Sequence, residues 1–212
     1  MRSSSRSQES PRAAPAAEAA KQRIVSEARR HFLAHGFRGV TMDDLAAELG
    51  MSKKTLYAHF ASKSALLEAV IGDKLRTVDA DLDRITGECS ADFLSALHQL
   101  LACLRRHSEE LQPPFLRDMA REAPELFKLV QTRRRAVIQR HFGKLLGAGR
   151  TARMIRKDIT SDLMIEVLIG ATDALINPQK LSELNLPAPT CLSAIVTIFL
   201  EGVLTDAGRT KL

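Results

Sequence analysis

The run from Val40 to Lys63, VTMDDLAAELGMSKKTLYAHFASK, constrains the fold more than any other segment, because its capping residues spell out two very short helices and the turn between them. Thr41 is a favourable N-cap, Asp44 three residues later is the acidic half of a capping box, and Val40 can staple onto Leu45 across the cap. Leu45, Ala46 and Leu49 form one apolar stripe, and Gly50 supplies the left-handed residue that ends a helix without steric cost. Ser52 caps a second helix, Lys53 through Phe60, with Leu56 and Phe60 spaced i, i+4 to anchor it. After it, Ser62 caps a third helix that carries Lys63 in its first turn.

The other face of the second helix presents Lys53, Lys54, Thr55, Tyr57 and His59, two cations for phosphate beside groups that can reach base edges. A helix of eight residues is about 12 Å long, which matches the width of the major groove. Its N-terminal dipole also favours phosphate. The segment therefore reads as a helix-turn-helix whose DNA-binding residues are Thr41, Ser52, Lys53, Lys54, Thr55, Tyr57, His59 and Lys63. An ordinary solvated αα-hairpin would account for the caps, but it gives no reason to keep Tyr57 and His59 off the core face.

Three groups of residues carry a family likeness: Thr41 ahead of the first short helix, Leu56-Tyr57-Ala58-His59-Phe60, and Ser62-Lys63-Ser64-Ala65-Leu66-Leu67, with Phe32, Gly36 and Phe37 closing the preceding helix. In this order they resemble the TetR family of bacterial transcriptional regulators, over roughly residues 20 to 70. Lys53-Lys54 departs from the many members with a smaller residue before the second position, a difference that bears on base preference and leaves the docking unchanged. The resemblance implies an all-α protein, with an N-terminal three-helix DNA-binding domain joined to a larger helical domain for ligand binding and dimerisation. The expected divisions are a disordered arm over 1–17, the helix-turn-helix domain over 18–64 and the effector-binding and dimerisation domain over 65–212.

The rest of the chain fits a helical protein. Ile24, Ala28 and Phe32 mark a support helix from Glu18 to His35, and the helix begun at Ser62 runs to a stop near Gly87. A third pattern spans Phe93 to His107. Pro113-Pro114 then breaks the chain, a short helix follows to Arg121, and Pro124 opens a long stretch expected to halt at Gly147 to Gly149. Arg133-Arg134-Arg135 within it reads as a solvated or ion-paired face.

An apolar content of 45% is enough for a proper core, and 31 basic against 25 acidic residues leave +6, a mild excess that suits a polyanion. Residues 1 to 75 hold 12 Lys or Arg against 8 Asp or Glu, so the excess leans toward the DNA-reading end. Cys89, Cys103 and Cys191 are odd in number and follow no framework spacing, which points to reduced thiols in a cytoplasmic protein, buried as small apolar residues more than poised as redox sensors. Residues 1 to 15 lack the apolar run of a signal peptide or anchor; their Arg2, Arg6 and Arg12 read as an idle charged tail before a minor-groove arm. His31 and His35 share a helix face, a metal-binding geometry with no third ligand in local sequence. There is no Gly-rich phosphate loop, no His-Glu-x-x-His and no nucleophile beside a local base, so neither enzyme activity, a cofactor nor a metal is expected.

The segments 158–176 and 190–204 are apolar nearly all round, and a second subunit is the natural cover for Leu163, Val167, Leu175, Leu192, Ile195, Phe199 and Val203; burial in the chain's own core is the simpler alternative. The final segment is too short to span a bilayer, and no membrane partner is expected. Two recognition helices about 34 Å apart would address a palindromic operator in double-stranded DNA. TetR-like proteins build a four-helix dimer interface from their last two helices and hold a ligand cavity in the helical body. Phe93, Leu97, Leu104, Phe115, Met119, Phe127, Val130, Met164 and Leu168 are the candidate wall here, though each also suits plain core. With one Tyr and no Trp, the body favours a small hydrophobic effector of aliphatic or mixed character. The resulting expectation is a homodimeric repressor released from its operator by that effector; the alternatives are a DNA-binding regulator without ligand control, and a helical enzyme with an incidental helix-turn-helix.

Overall fold

The computed structural model describes residues 13–87 and 92–210; Arg2, Arg6 and Arg12 of the arm, and Cys89, lie outside the described residues. Among the described residues the fold is all-α, with α1 (Ala13–His35), α2 (Met42–Glu48), α3 (Lys53–His59), α4 (Lys63–Gly87), α5 (Phe93–Glu109), α6 (Pro113–Glu122), α7 (Pro124–Thr151), α8 (Ser161–Leu175), α9 (Pro178–Leu184), α10 (Ala188–Val203) and α11 (Asp206–Arg209). An isolated antiparallel bridge joins Ile155 to Leu204.

Three differences from the sequence reading have physical causes. First, α1 starts at Ala13, inside the segment assigned to the arm, because alanines and charged residues with high helix propensity lead straight into the apolar repeat. Second, α7 runs through Gly147 and Gly149 to Thr151. At Gly149 the missing side chain is the point: a Cβ there would lie 2.4 Å from Ile155 and 2.7 Å from the Phe93 ring. Third, the short α9 and α11 were not expected; both are capped, by Asn177 on the Lys180 amide and by Thr205 on the Gly208 amide.

Two apolar cores organise the chain. The first gathers Ile24, Ala28 and Phe32 of α1, Leu45 of α2, Leu56 of α3 and Leu66, Leu67 and Val70 of α4 around Phe115 and Met119 of α6. The second gathers the far half of α4 with α5, α7, α8 and α10, including Leu82, Leu97, Phe142, Leu168 and Ile195. Each fully buried Leu or Phe stabilises its cluster by roughly 1.5–3 kcal/mol. α4 belongs to both clusters, and α6 reaches from the body into the first. Pro113 sits at the first position of α6, where its missing N–H costs nothing, and Phe115 and Met119 follow at i, i+4 on one face.

Around this joint the polar contacts are dense. Arg38 donates its backbone N–H to Asp118 at 2.8 Å, Gln112 donates its backbone N–H to the Leu33 carbonyl, and Arg29 reaches Glu110 at 2.8 Å. Elsewhere Arg134 meets Asp173 and Arg135 meets Glu166, both at 2.7 Å, so two of the three arginines in the run pair α7 with α8, while Arg133 is exposed. No single helix among the described residues is long and apolar enough to cross a membrane.

Candidate nucleic-acid interface

The reading element is built from its caps. Thr41 accepts the Asp44 amide at 3.1 Å, and the Asp44 carboxylate accepts the Thr41 backbone N–H at 2.9 Å and its hydroxyl at 2.7 Å, completing the capping box. These Thr41 donors hold the Asp44 carboxyl below its ordinary range. α2 ends with the Met51 amide on the Ala46 carbonyl and Gly50 in the left-handed region at φ +63°. Arg23 of α1 donates to the Leu49 carbonyl at 2.6 Å and so satisfies an open end of α2 from a neighbouring helix. Sequence spacing alone had no way to assign that role, since residues 23 and 49 meet only in the folded head.

Ser52 then caps α3 by accepting the Thr55 amide at 3.1 Å, and the two hydroxyls pair at 2.8 Å. Leu56 is fully buried and Phe60 half-buried, as their spacing requires. Ser52, Lys53, Lys54, Thr55 and Tyr57 are exposed on the opposite side, with Tyr57 at 45%. Lys54 and Tyr57 make no hydrogen bond or ion pair among the described residues, so the helix presents a cation and a phenol to solvent.

Of the remaining predicted contacts, Lys53, Lys63 and Thr41 have local partners. Lys53 pairs with Asp43 at the start of α2. Half-buried Lys63 lies 4.4 Å from the centroid of the Phe37 ring, and burial pushes its ammonium below the usual lysine range. His59 is half-buried at the end of α3, and the Thr41 hydroxyl serves the cap. His31 is held by Glu27 at 3.0 Å, with Arg30 bridging Glu27 and Glu48.

The candidate effector wall divides. Phe115, Met119, Phe127 and Val130 belong to the first core, while Phe93, Leu97, Met164 and Leu168 pack in the second with Leu104 against it. Of the nine, Leu104 lines a cleft of about 660 Å³ between α5 and α10, with Leu101, Leu192, Val196 and Leu200 as its apolar floor and Arg105, Arg106, Glu109 and Glu201 at its rim. Of the candidate dimer residues, Leu163 and Val167 are 57% and 59% exposed, Leu175 and Leu192 are half-buried, and Ile195, Phe199 and Val203 are buried in the chain's own core. The outward stripe of α10 instead carries Ala194, Ile198 and Gly202 at i, i+4, i+8, with Ile198 74% exposed. Where both faces of a helix are apolar, composition does not say which one turns inward.

Two short capped helices set at a left-handed glycine, buried on one face and turning a basic, aromatic face to solvent, make this chain a helix-turn-helix DNA-binding transcriptional regulator. Residues 24–70 match the sequence profile described as bacterial regulatory proteins, tetR family. The uncharacterized HTH-type transcriptional regulator YvaF of Bacillus subtilis (strain 168) is 28% identical over 191 residues, covering 87% of this chain and 96% of YvaF. The HTH-type transcriptional repressor DhaR of Mycobacterium sp. (strain GP1) is 25% identical over 195 residues, covering 87% and 92%. In fold, a transcriptional regulator of Saccharomonospora viridis solved in complex with choline superposes with a TM-score of 0.63 at 23% identity, over 89% of this chain and 100% of that one. Residues 24–70 thus carry a DNA-binding segment like that of the tetR-family regulators, and both of these relatives, YvaF and DhaR, are HTH-type transcriptional regulators.

Proposed function

We propose that the protein is a homodimeric, cytoplasmic repressor that holds a palindromic operator through its paired α3 helices and releases it when a small hydrophobic effector binds the helical body. The observation that carries this reading is the pairing of two uncovered surfaces of opposite chemistry. One is the basic face of α3; the other is the apolar stripe of Leu163, Val167 and Ile198 on α8 and α10. The first suits phosphate and base edges, and the second suits an identical stripe related by a two-fold axis. Dimerisation then places two short helices on one duplex, which a single short helix would hold only weakly.

The effector is assigned to the cleft between α5 and α10, whose leucine and valine floor sits beside the dimer stripe and whose volume of about 660 Å³ matches a small organic ligand. Coupling runs through α6, since Phe115 and Met119 belong to the body in sequence and to the head in packing. A shift of α6 repacks the head core, because packed cores do not deform smoothly. Support also comes from the DhaR repressor and from the choline complex, whose fold this chain shares.

The test begins with genome-wide capture of bound DNA to obtain an operator, followed by fluorescence anisotropy of that operator against a panel of hydrophobic compounds. The expected result is tight binding lost with one compound class, and loss of that response in Leu104→Arg. An operator affinity indifferent to every ligand that binds the protein would leave the regulator without ligand control.

A further inference from the structure

Where α4 crosses α5, a set of polar side chains lies buried that DNA reading does not use. Cys103 and His107 stand one turn apart on α5, so their side chains share a face, and Asp81 faces them from α4. A carboxylate oxygen, a sulfur and an imidazole nitrogen come within 4.8 Å of one another there. His107 Nε2 lies 2.9 Å from Asp81 Oδ2, and Cys103 and His107 are only 4% and 8% exposed.

We propose that Asp81, Cys103 and His107 form a binding site for a zinc-class divalent cation that fastens α4 to α5. One thiolate, one imidazole and one carboxylate suit a borderline-soft ion in tetrahedral geometry; magnesium and calcium prefer all-oxygen shells. Three protein ligands leave the fourth position to water. The thiol proton passes to solvent as the metal binds.

The neighbours supply the outer shell. Lys74 Nζ stands 3.0 Å from His107 Nδ1 and 2.8 Å from Glu110 Oε2, while Glu110 Oε1 is 4.0 Å from the same Nδ1. Without metal, Lys74 donates to Nδ1, and His107 Nε2–H donates to Asp81. When Nε2 takes the metal, the imidazole proton moves to Nδ1 and donates to Glu110, and Lys74 stays on Glu110 alone. A carboxylate receiving the second N–H of a metal-bound histidine is the arrangement that orients such a ligand. Arg106, which reaches Asp81 at 2.5 Å from a side chain 60% exposed, gives way to the cation and turns to solvent.

The sequence did not disclose this site because its spacing is split. Cys103 and His107 look like one more helical pair, and Asp81 joins them only when two helices pack. The consequence reaches the head, since the metal would pin the far half of α4, the same helix whose first half closes the head core.

The experiment uses the tag-free full-length protein titrated with Co²⁺, read by absorption and followed by competition with Zn²⁺. The expected result is a thiolate-to-cobalt charge-transfer band with tetrahedral d–d bands, saturating at about one equivalent per chain and bleached by Zn²⁺. Cys103→Ser removes the charge-transfer band, Glu110→Gln weakens binding about 10–100-fold, and Cys191→Ser changes nothing. X-ray absorption of the zinc-loaded native chain needs no variant and is expected to show one sulfur at about 2.3 Å beside imidazole. No band in the native protein, a band that survives in Cys103→Ser, or a first shell of nitrogen and oxygen alone would overturn the proposal.

Discussion

The outward face of α3 and the outward face of α8 with α10 are both left uncovered by the chain, and they differ in what exposure costs. On α3 the exposed groups are Lys54, Thr55 and Tyr57, which water solvates well. On α8 and α10 they are Leu163, Val167 and Ile198, and each Å² of apolar surface left in water forgoes about 25 cal/mol. The first surface is stable alone and waits for an anion. The second is an unfavourable state of a lone chain, which the second copy in the proposed dimer would relieve. Binding partners can thus be inferred from the sign of the exposure energy as well as from motif.

Breaking the apolar face should have the largest effect. Val167→Glu with Ile198→Glu places like charges opposite one another across a two-fold contact, and sedimentation at micromolar concentration should find a folded monomer. Its operator affinity should fall about 100-fold or more with the loss of bivalence. A double variant that stays dimeric would move the interface elsewhere.

Leu56→Ala sharpens the contrast from the other side. Leu56 is fully buried, so its truncation should destabilise the head by about 2–5 kcal/mol while leaving the stripe and the dimer intact. Thermal melting and gel filtration together separate the two effects. Phe115→Ala, outside the head in sequence, should cost about 3–5 kcal/mol in the same melting transition, because its ring sits in the head core.

Lys54→Ala should leave stability unchanged, weaken operator binding roughly tenfold and lower the slope of log affinity against log salt by about one. Tyr57→Ala should weaken binding with the salt slope preserved, as its hydroxyl carries no charge.

The smallest effect concerns the cap. Thr41→Ala should cost about 1 kcal/mol of head stability. Because Asp44 is held below its ordinary range in the folded head, its contribution is whole above the unfolded carboxylate value and fades as pH falls through the lower folded one. Melting curves taken downward from about pH 5 should therefore converge for native and Thr41→Ala proteins.

The same contrast explains what could be read in advance. The head is written in local chemistry: Thr41 with Asp44, Gly50, Ser52 with Thr55, and Leu56 with Phe60 all act within four residues, so both elements and their exposed face were legible. The body is assembled from residues far apart. Whether Ile195 or Ile198 faces inward depends on where α5 and α8 lie, and neither choice breaks the helical repeat. Phe115 and Met119 were read as a pocket wall because they are apolar residues inside the 65–212 body in sequence, yet they pack in the head core with α1 and α4. Arg23 on the Leu49 carbonyl and Asp81 beside His107 are contacts of the same kind, fixed only by tertiary packing.

The central claim is that two α3 helices of one dimer enter successive major grooves. Hydroxyl-radical footprinting of the native protein on its captured operator tests it most directly. The expected pattern is two symmetric patches on one face of the duplex, about 34 Å apart, both fading in Lys54→Ala. A single patch, or symmetric protection that Lys54→Ala leaves untouched, would contradict it.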